Sequence, residues 1–262
     1  MNLKSWIFQK IPPNLYPLSV VPFYKLHPSY ANLSIKSESG VYWVIEENDK
    51  ICIPSLRRIT VYRKGIKSRL NEIQKKYFHY PEVIVKEEDT VIDVGAYIGG
   101  FTLSISEVAK NVIAFEPDNN SFKCLERNTR KLENVQIKNT LLWKANEEVE
   151  FEICPEKADS SAINIDSGKT SEKTVLEGIK MKDELSKLEI DKVDFLKMDA
   201  EGAEREVLEG LESKIKKINK VAIDCGPERF GNTTHAEVLN LLKKNGFKTI
   251  KDQHMVYGWK SR

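Results

Sequence analysis

From Val83 onward, short apolar runs rich in β-branched residues alternate with segments in which apolar residues recur at helical spacing. This alternation is typical of βαβ units, in which helices connect the parallel strands of one sheet. It predicts an α/β fold with a mostly parallel sheet and helices on both of its faces. The predicted strands are residues 90–94, 111–115, 135–138, 193–198, 221–224 and 247–250, with helices between most of them.

Residues 1–80 do not share this alternation. They begin with a proline- and aromatic-rich stretch, continue with two β-like runs at 41–46 and 59–63, and end in a predicted helix over 66–77. We interpret residues 1–80 as an N-terminal accessory or cap segment that helps to close a pocket. Residues 81–262 are then the α/β domain.

The alternation also fails between residues 146 and 190, which we interpret as an insertion in the α/β domain. Residues 149–153 alternate like a strand, and a polar, serine-rich stretch follows them. Insertions of this kind often contact substrate, and the alternative is a solvated surface excursion without a role. Substrate specificity is therefore expected to lie in this insertion and in the accessory segment.

Composition excludes several classes of protein. The 41 basic and 39 acidic residues give a net charge of +2, which provides no strong field for nucleic acid. The four cysteines form no CxxC pair and no histidine lies at metal-ligand spacing, so reduced thiols and no metal site are expected. No apolar run approaches the roughly 20 residues needed to cross a bilayer, and no signal-peptide core is present, so we predict a cytoplasmic protein without a membrane partner.

The first strand of the domain ends in a glycine turn that passes directly into a helix, reading DVGAYIGG over residues 93–100. In a dinucleotide fingerprint the second glycine would fall on Tyr97, where a pyrophosphate needs close backbone approach. The spacing instead suits S-adenosylmethionine, which brings an ammonium and a carboxylate to the turn. Gly95 and Gly99 allow the backbone to curl, and Asp93 supplies negative potential for the ammonium, either directly or by ordering the loop.

The second strand ends in Glu116, which lies 116 − 95 = 21 residues after Gly95. A carboxylate about 20 residues beyond the first glycine can accept hydrogen bonds from both ribose hydroxyls. This geometry is shared by NAD and S-adenosylmethionine sites, and the glycine turn separates the two. The alternative is a turn that serves only strand-to-helix packing, with Glu116 in a surface ion pair.

The fourth strand ends in two carboxylates, Asp199 and Glu201, which face the reactive end of a ligand in such a sheet. Methyl transfer to oxygen needs a positioned hydroxyl that also loses its proton. Asp199 is our first candidate for the proton acceptor and Glu201 the second, while helix capping explains Glu204 better. Asp224, at the end of the fifth strand, is a candidate for orienting substrate or a metal. His235, at the predicted start of the helix that follows, is interpreted as a surface residue, with a catalytic base as the alternative.

Three segments together resemble the FkbM-type methyltransferases: VIDVGAYIG at 91–99, AFEP at 114–117 and LKMDAEGAE at 196–204. The resemblance spans roughly residues 65–255. It implies a Rossmann-like class I methyltransferase with a seven-stranded sheet whose last strand, about 254–259, is antiparallel. It further implies S-adenosylmethionine as cofactor and a hydroxyl of a sugar, polyketide or related metabolite as acceptor.

The resemblance also assigns site residues. Asp93, Gly95 and Gly99 would hold the methionine end of the cofactor and Glu116 its ribose. Tyr97 stands where the family usually has asparagine, so its contacts with the amino-acid end are expected to differ. Asp224 stands where glutamate is common, which shortens its reach by one methylene.

The sequence therefore predicts an S-adenosylmethionine-dependent methyltransferase that acts on a hydroxyl of a sugar, glycan or small metabolite. One alternative is a tRNA or RNA methyltransferase, which the near balance of charges disfavours. A second is a binding domain that keeps the fold without catalysis. A third is an NAD-dependent oxidoreductase, which Tyr97 disfavours.

Overall fold

The computed structural model of the chain describes residues 15, 20–22, 26–154, 160–163 and 172–260. In chain order the strands are β1 (Ser34–Glu38), β2 (Val41–Glu46), β3 (Asp49–Ile53), β4 (Thr90–Val94), β5 (Asn111–Phe115), β6 (Val135–Lys138), β7 (Leu141–Trp143), β8 (Glu147–Ile153), β9 (Glu172–Lys180), β10 (Val193–Met198), β11 (Ile218–Asp224), β12 (Lys248–Asp252) and β13 (Met255–Trp259). The α-helices are α1 (Ile66–Tyr77), α2 (Gly100–Ile105), α3 (Asn119–Thr129), α4 (Met181–Lys187), α5 (Glu204–Glu209) and α6 (His235–Lys244), and 3-10 helices span Leu56–Tyr62 and Glu212–Lys217.

A seven-stranded sheet in the order β12-β13-β11-β10-β4-β5-β6 forms the centre of the molecule. Strand β13 runs antiparallel to both of its neighbours, while the pairings among β11, β10, β4, β5 and β6 are parallel. This confirms the α/β class I methyltransferase fold and its antiparallel last strand. Strand order reverses at β4, which lies between β10 and β5, and ligands bind at such a reversal.

The inner strands β4, β5 and β10 are buried along most of their length because helices cover both faces of the sheet. Alternate residues of β4 and β10 belong to different clusters: Ile92 and Leu196 pack with α5 and α6 residues, whereas Val91 and Phe195 pack with α1 and α2 residues. All four of these side chains are fully buried. Burial of each contributes roughly 1.5 to 3 kcal/mol, and burial on both faces produces the continuous apolar runs seen in the sequence.

The predicted strand bounds agree closely with those observed. Residues 90–94, 111–115, 135–138 and 193–198 are β4, β5, β6 and β10. Strand β11 begins three residues before the predicted 221, and β12 lies one residue later than predicted at its start. The last helix ends before Gly246, whose φ of +82° is the left-handed conformation that commonly follows the end of a helix.

A three-stranded antiparallel sheet, β1-β2-β3, precedes the central sheet. The prediction of a β-like run at 59–63 is wrong, because these residues belong mainly to the 3-10 helix Leu56–Tyr62. Ser55 caps this helix by accepting a hydrogen bond from the Arg57 backbone at 3.3 Å. Leu56, Ile59 and Tyr62 are buried, and their spacing of three residues is the period of a 3-10 helix.

The accessory sheet packs on the domain through β3 and α3. Cys52 of β3 and Cys124 of α3 are fully buried, with their Sγ atoms 3.2 Å apart. Asn128 accepts a hydrogen bond from the Cys52 amide at 2.7 Å and donates to the Ile98 carbonyl at 2.9 Å. The accessory sheet, α3 and the glycine turn are thereby joined. All four cysteines lie in the described residues, where they are buried and form no disulfide bond.

The insertion at 146–190 contributes to a small third sheet in the order β7-β9-β8. Strands β8 and β9 pair antiparallel, and β7 pairs parallel with β9. Much of the polar, serine-rich stretch lies outside the described residues. Within the described parts of the chain, no helix combines the length and the apolar character required to cross a bilayer.

Candidate active site

A cavity of about 270 Å³ opens at the carboxyl ends of β4, β5 and β10, where the strand order reverses. Five of the seven predicted site residues line it: Gly95, Tyr97, Glu116, Asp199 and Glu201. Asp93 and Gly99 are not among the lining residues. The other walls come from the 3-10 helix after β3, from α1, and from Ser160 and Ala162 of the insertion.

The glycine turn requires left-handed backbone at three positions, with φ of +67° at Gly95, +54° at Tyr97 and +87° at Gly99. A Cβ at Gly95 would lie 1.9 Å from the carbonyl oxygen of Asp199. A Cβ at Gly99 would lie 2.8 Å from Leu125 Cδ1 of α3. Gly95 therefore permits contact between the turn and the end of β10, and Gly99 permits contact between the turn and α3.

We expect Gly95→Ala to destabilise the fold by more than the roughly 1 to 2 kcal/mol of left-handed strain alone. The added methyl group meets a backbone carbonyl, which cannot rotate away as a side chain can. Gly40→Ala is the matched control, because Gly40 has φ +78° and its added methyl group would meet no described atom within 4 Å beyond its chain neighbours. Urea unfolding measures both, and equal losses for the two variants would contradict the close approach at Gly95.

Asp93 is fully buried and bound by the protein itself. Lys197 Nζ lies 2.9 Å from Asp93 Oδ1, and Thr102 Oγ1 donates to Asp93 Oδ2 at 2.7 Å. The Lys197 ammonium also donates to the carbonyls of Val94 at 3.1 Å and Gly95 at 2.7 Å. Of the two roles considered for Asp93, this geometry favours ordering of the loop over direct contact with a ligand.

Lys197 is a site residue that the sequence-based predictions did not include, although a signal was present. A lysine inside the apolar strand 193–198 needs a partner, and parallel pairing places Lys197 opposite Asp93. The side chains of the two residues are 5% and 0% exposed.

Glu116 lies at the end of β5 with its side chain almost fully buried. Its Oε2 accepts the Tyr97 amide at 2.7 Å and its Oε1 accepts the Asp118 amide at 2.9 Å. Burial raises the pKa of Glu116 to about 8, against the opposing effect of these amides and of Lys197. Because an ionised carboxylate has about four acceptor positions, two remain for the hydroxyls of a ribose.

Asp199 lies at the end of β10, and its carboxylate is held by two residues of α1. Tyr77 Oη donates to Asp199 Oδ2 at 2.8 Å, and Lys76 Nζ lies 3.4 Å from the same oxygen. Burial raises the pKa of Asp199, but the ammonium groups of Lys76 and Lys197 and the Tyr77 hydroxyl outweigh it and leave the pKa below its ordinary value. Asp199 is therefore an ionised carboxylate.

The next two carboxylates along the chain differ in position. Glu201 lines the cavity with φ +50°, and its carbonyl accepts a hydrogen bond from Ser161 at 2.6 Å. Glu204 is 1% exposed and accepts the amides of Ala200 and Gly202 at 3.2 and 3.0 Å. Glu204 therefore holds the turn that carries the cavity residues. The N-cap of α5 is Ala203 and has no side-chain hydrogen bond, so the contacts of Glu204 are with the turn and not those of a helix cap.

Two further candidates lie outside the cavity wall. Asp224 forms an ion pair with Lys76, and no group of three or more potential metal ligands occurs within the described residues. The expectation that His235 is a surface residue is wrong, since it is 7% exposed. Burial lowers the pKa of His235. Helix α6 begins at this residue and packs against β12 and β13, which accounts for the burial.

Tyr97 occupies the cavity wall between the glycine turn and the accessory segment. The guanidinium of Arg58 lies 5.4 Å from the centre of its ring. The Tyr97 hydroxyl is buried and has no hydrogen-bond partner among the described residues. At this position the chain thus places an aromatic ring under a cation.

Comparison with known proteins agrees with this geometry. The family described as Methyltransferase FkbM domain matches residues 93–249. Hexuronic acid methyltransferase AglP of Haloferax volcanii is 30% identical over 141 residues, which are 53% of this chain and 56% of that protein. Ribosomal RNA small subunit methyltransferase A of Pediococcus pentosaceus is 41% identical over 68 residues, 25% of this chain and 23% of that protein.

A solved structure shares the fold. Methyltransferase FkbM from Methylobacillus flagellatus superimposes with a TM-score of 0.52 at 16% identity, covering 78% of this chain and 53% of that one. The chain thus spans little more than half the length of this structure and of the haloarchaeal relative. Because the family match includes more than half of the chain and contains the glycine turn, Glu116 and Asp199, the chain belongs to the FkbM family of S-adenosylmethionine-dependent methyltransferases.

Proposed function

We propose that the chain transfers the methyl group of S-adenosylmethionine to a hydroxyl oxygen of a sugar or a related small metabolite. The observation that supports this most directly is the composition of the cavity. One wall holds Gly95 and Glu116, which suit the cofactor, and Asp199 and Glu201 lie on the same cavity at the end of the neighbouring strand. A methyl donor and an acceptor hydroxyl need this proximity.

The residues present fit the cofactor. When bound, S-adenosylmethionine supplies a methyl group on a positively charged sulfonium. Glu116 offers its remaining acceptor positions to the ribose hydroxyls, and Lys197 keeps the glycine turn in place through the Val94 and Gly95 carbonyls. We propose that Asp93 acts through Lys197, that Gly99 acts through helix packing, and that Tyr97 borders the amino-acid end of the cofactor.

The chain's own part in the reaction is to hold the acceptor and to receive a proton. Asp199 or Glu201 accepts a hydrogen bond from the acceptor hydroxyl and so aims its oxygen at the methyl group. The hydroxyl becomes far more acidic as the new C–O bond forms, so even a carboxylate of lowered pKa can receive its proton. We keep Asp199 as the first candidate for this role and Glu201 as the second.

Two observations favour a sugar or small metabolite over RNA as the acceptor. The charged residues on the cavity wall are balanced, four basic and four acidic: Arg58, Arg69, Lys76, Lys197, Glu72, Glu116, Asp199 and Glu201. A phosphate backbone requires an excess of positive charge. The relative whose name specifies hexuronic acid also matches twice as much of this chain as the ribosomal RNA methyltransferase does.

The test is transfer of label from S-adenosylmethionine carrying a radioactive methyl group to three acceptor pools: sugars and oligosaccharides, low-molecular-weight metabolites, and total RNA. We expect label in a sugar or metabolite fraction, and we expect it to survive mild alkali because a methyl ether does so while a methyl ester is hydrolysed. Label in RNA, or label that is lost in alkali, would contradict the proposed methylation of a hydroxyl on a sugar or metabolite. Binding of S-adenosylhomocysteine with no transfer to any pool would support a domain without catalysis.

A further inference from the structure

Helix α1 presents one face to the cavity. The lining residues of this helix follow helical spacing: Arg69, Glu72, Ile73, Lys76 and Tyr77. Residues 66–77 precede the segment 93–249 that matches the family. The wall opposite the strand ends is therefore supplied by a part of the chain that the family match does not include.

The core fixes α1 in this position. A Cβ at Gly100 would lie 2.7 Å from Ile73 Cδ1, so α1 and α2 are in close contact. Gln74 donates to the Ser104 carbonyl at 2.9 Å, and Tyr257 donates to the Lys76 carbonyl. The end of α1 is thus tied to α2 on one side and to β13 on the other, so Lys76 and Tyr77 are held at the cavity.

Both residues converge on Asp199 across the cavity edge. Tyr77 is 3% exposed and its hydroxyl donates to Asp199 at 2.8 Å. Lys76 bridges Asp199 and Asp224, and these two carboxylates raise the pKa of Lys76 above its ordinary value although burial lowers it. Burial and the nearby carboxylates raise the pKa of Tyr77, so its hydroxyl stays protonated and can donate a hydrogen bond.

We propose that α1 is a working part of the transfer site, in which Lys76 and Tyr77 are positioning residues that hold the Asp199 carboxylate as a fixed anion facing the sulfonium of the methyl donor. This inference rests on the proposed function. It gives Asp199 a role before the chemical step, since an anion at this place favours the positively charged sulfonium of the methyl donor over the neutral thioether of the product S-adenosylhomocysteine. The same preference assists exchange of product for a new donor.

Several charged or titratable groups face Asp199 and enter its pH dependence. They come from α1, the central strands, the turn before α5, α5 itself and the loop after β11: Lys76, Tyr77, Asp93, Glu116, Lys197, Glu201, Glu204, Asp224 and Glu228.

The ratio of the affinity for S-adenosylmethionine to the affinity for S-adenosylhomocysteine separates the effect of Asp199 from that of Glu116, because the ribose contact is common to both ligands. This ratio is therefore the quantity to measure.

The experiment is calorimetry with S-adenosylmethionine and S-adenosylhomocysteine between pH 4.5 and 8. For the unmodified protein we expect the affinity ratio to favour the methyl donor and to stay constant down to pH 4.5, because the pKa of Asp199 lies below its ordinary value. For Asp199→Asn the ratio should fall at least tenfold at every pH. For Lys76→Met the ratio should fall on acidification with a midpoint about one pH unit or more higher, since an opposite charge lowers a carboxyl pKa by about 1 to 3 pH units.

Tyr77→Phe keeps the ring and provides a second test if Lys76→Met does not fold. It should shift the midpoint of the pH dependence in the same direction by a smaller amount. Lys75→Met is the matched control, because Lys75 is exposed on the same turn and should behave as the unmodified protein does. An unchanged ratio in Asp199→Asn, or the same pH profile in Lys76→Met and Lys75→Met, would overturn the inference. Failure of both ligands to bind the unmodified protein would instead overturn the proposed function.

Discussion

Replacement of Lys197 by methionine is expected to destabilise the protein by about 3 to 5 kcal/mol, because it leaves the fully buried Asp93 carboxylate without its counter-charge. Thr102 alone remains as a side-chain donor to Asp93 among the described residues. The loop carbonyls of Val94 and Gly95 lose the ammonium that they share. Urea unfolding at pH 7 measures the loss of stability, and cofactor calorimetry on the folded fraction measures the loosening of the turn.

Two companion variants make this prediction specific. The double variant Lys197→Met with Asp93→Asn should be less destabilised than Lys197→Met alone, since no unpaired charge remains buried. Lys192→Met removes an ion pair with Asp194 just before the same strand, but Lys192 is 63% exposed. Its loss should stay within about 1 kcal/mol. A loss of that small size for Lys197→Met would show that the buried pair does not support the turn.

The fold was predictable from sequence where burial alone determines the pattern. Strands β4, β5 and β10 are buried along most of their length, and their bounds were predicted residue for residue, as were those of the partly buried edge strand β6. Strand β9 was not predicted, because most of its residues are only partly buried or exposed and leave no hydrophobic signal. The 3-10 helix at 56–62 resembles a strand in sequence because a period of three cannot be separated from alternation over so few residues.

The site divides in the same way. The glycine turn and Glu116 were found because local spacing and chain distance identify them. The contacts of Asp199 were not predicted, because Tyr77 lies 122 residues from Asp199 in the sequence. Such a pair depends on where α1 meets the end of β10, which no local pattern records. The assignment of Gly99 to the cofactor stays a prediction, and the close approach of Leu125 to this glycine is likewise invisible to local spacing.

Replacement of Glu116 by glutamine is expected to weaken binding of S-adenosylmethionine by tenfold or more. Hydrogen bonds to a charged group contribute about 1.5 to 3 kcal/mol, and glutamine keeps the shape of the side chain without its charge. Glu126→Gln is the matched control, because Glu126 is exposed on α3 and does not line the cavity. Equal affinity for S-adenosylmethionine in the Glu116 and Glu126 variants would show that Glu116 does not bind the ribose.

The same substitution is expected to stabilise the cofactor-free protein at alkaline pH. The pKa of Glu116 is raised by burial from 4.5 to about 8 in the folded protein. Its contribution to the unfolding free energy is therefore fully present below about pH 4.5 and is lost as the pH rises through about 8. Glutamine never ionises, so the variant should gain stability relative to the unmodified protein between pH 5 and 9, by on the order of a few kcal/mol.

Thermal or urea unfolding of both proteins across this range measures the difference. Glu204, whose pKa burial raises to about 7, contributes a similar trend to both proteins and cancels in the comparison. A difference that does not change with pH would mean that Glu116 is already ionised in the folded protein. For a site built to bind a ligand, the glutamine variant is expected to show both effects, weaker cofactor affinity and a more stable empty protein. Burial opposes the charge of Glu116 by more than the two amides and Lys197 favour it, and a ligand with two hydroxyl donors supplies the remaining compensation.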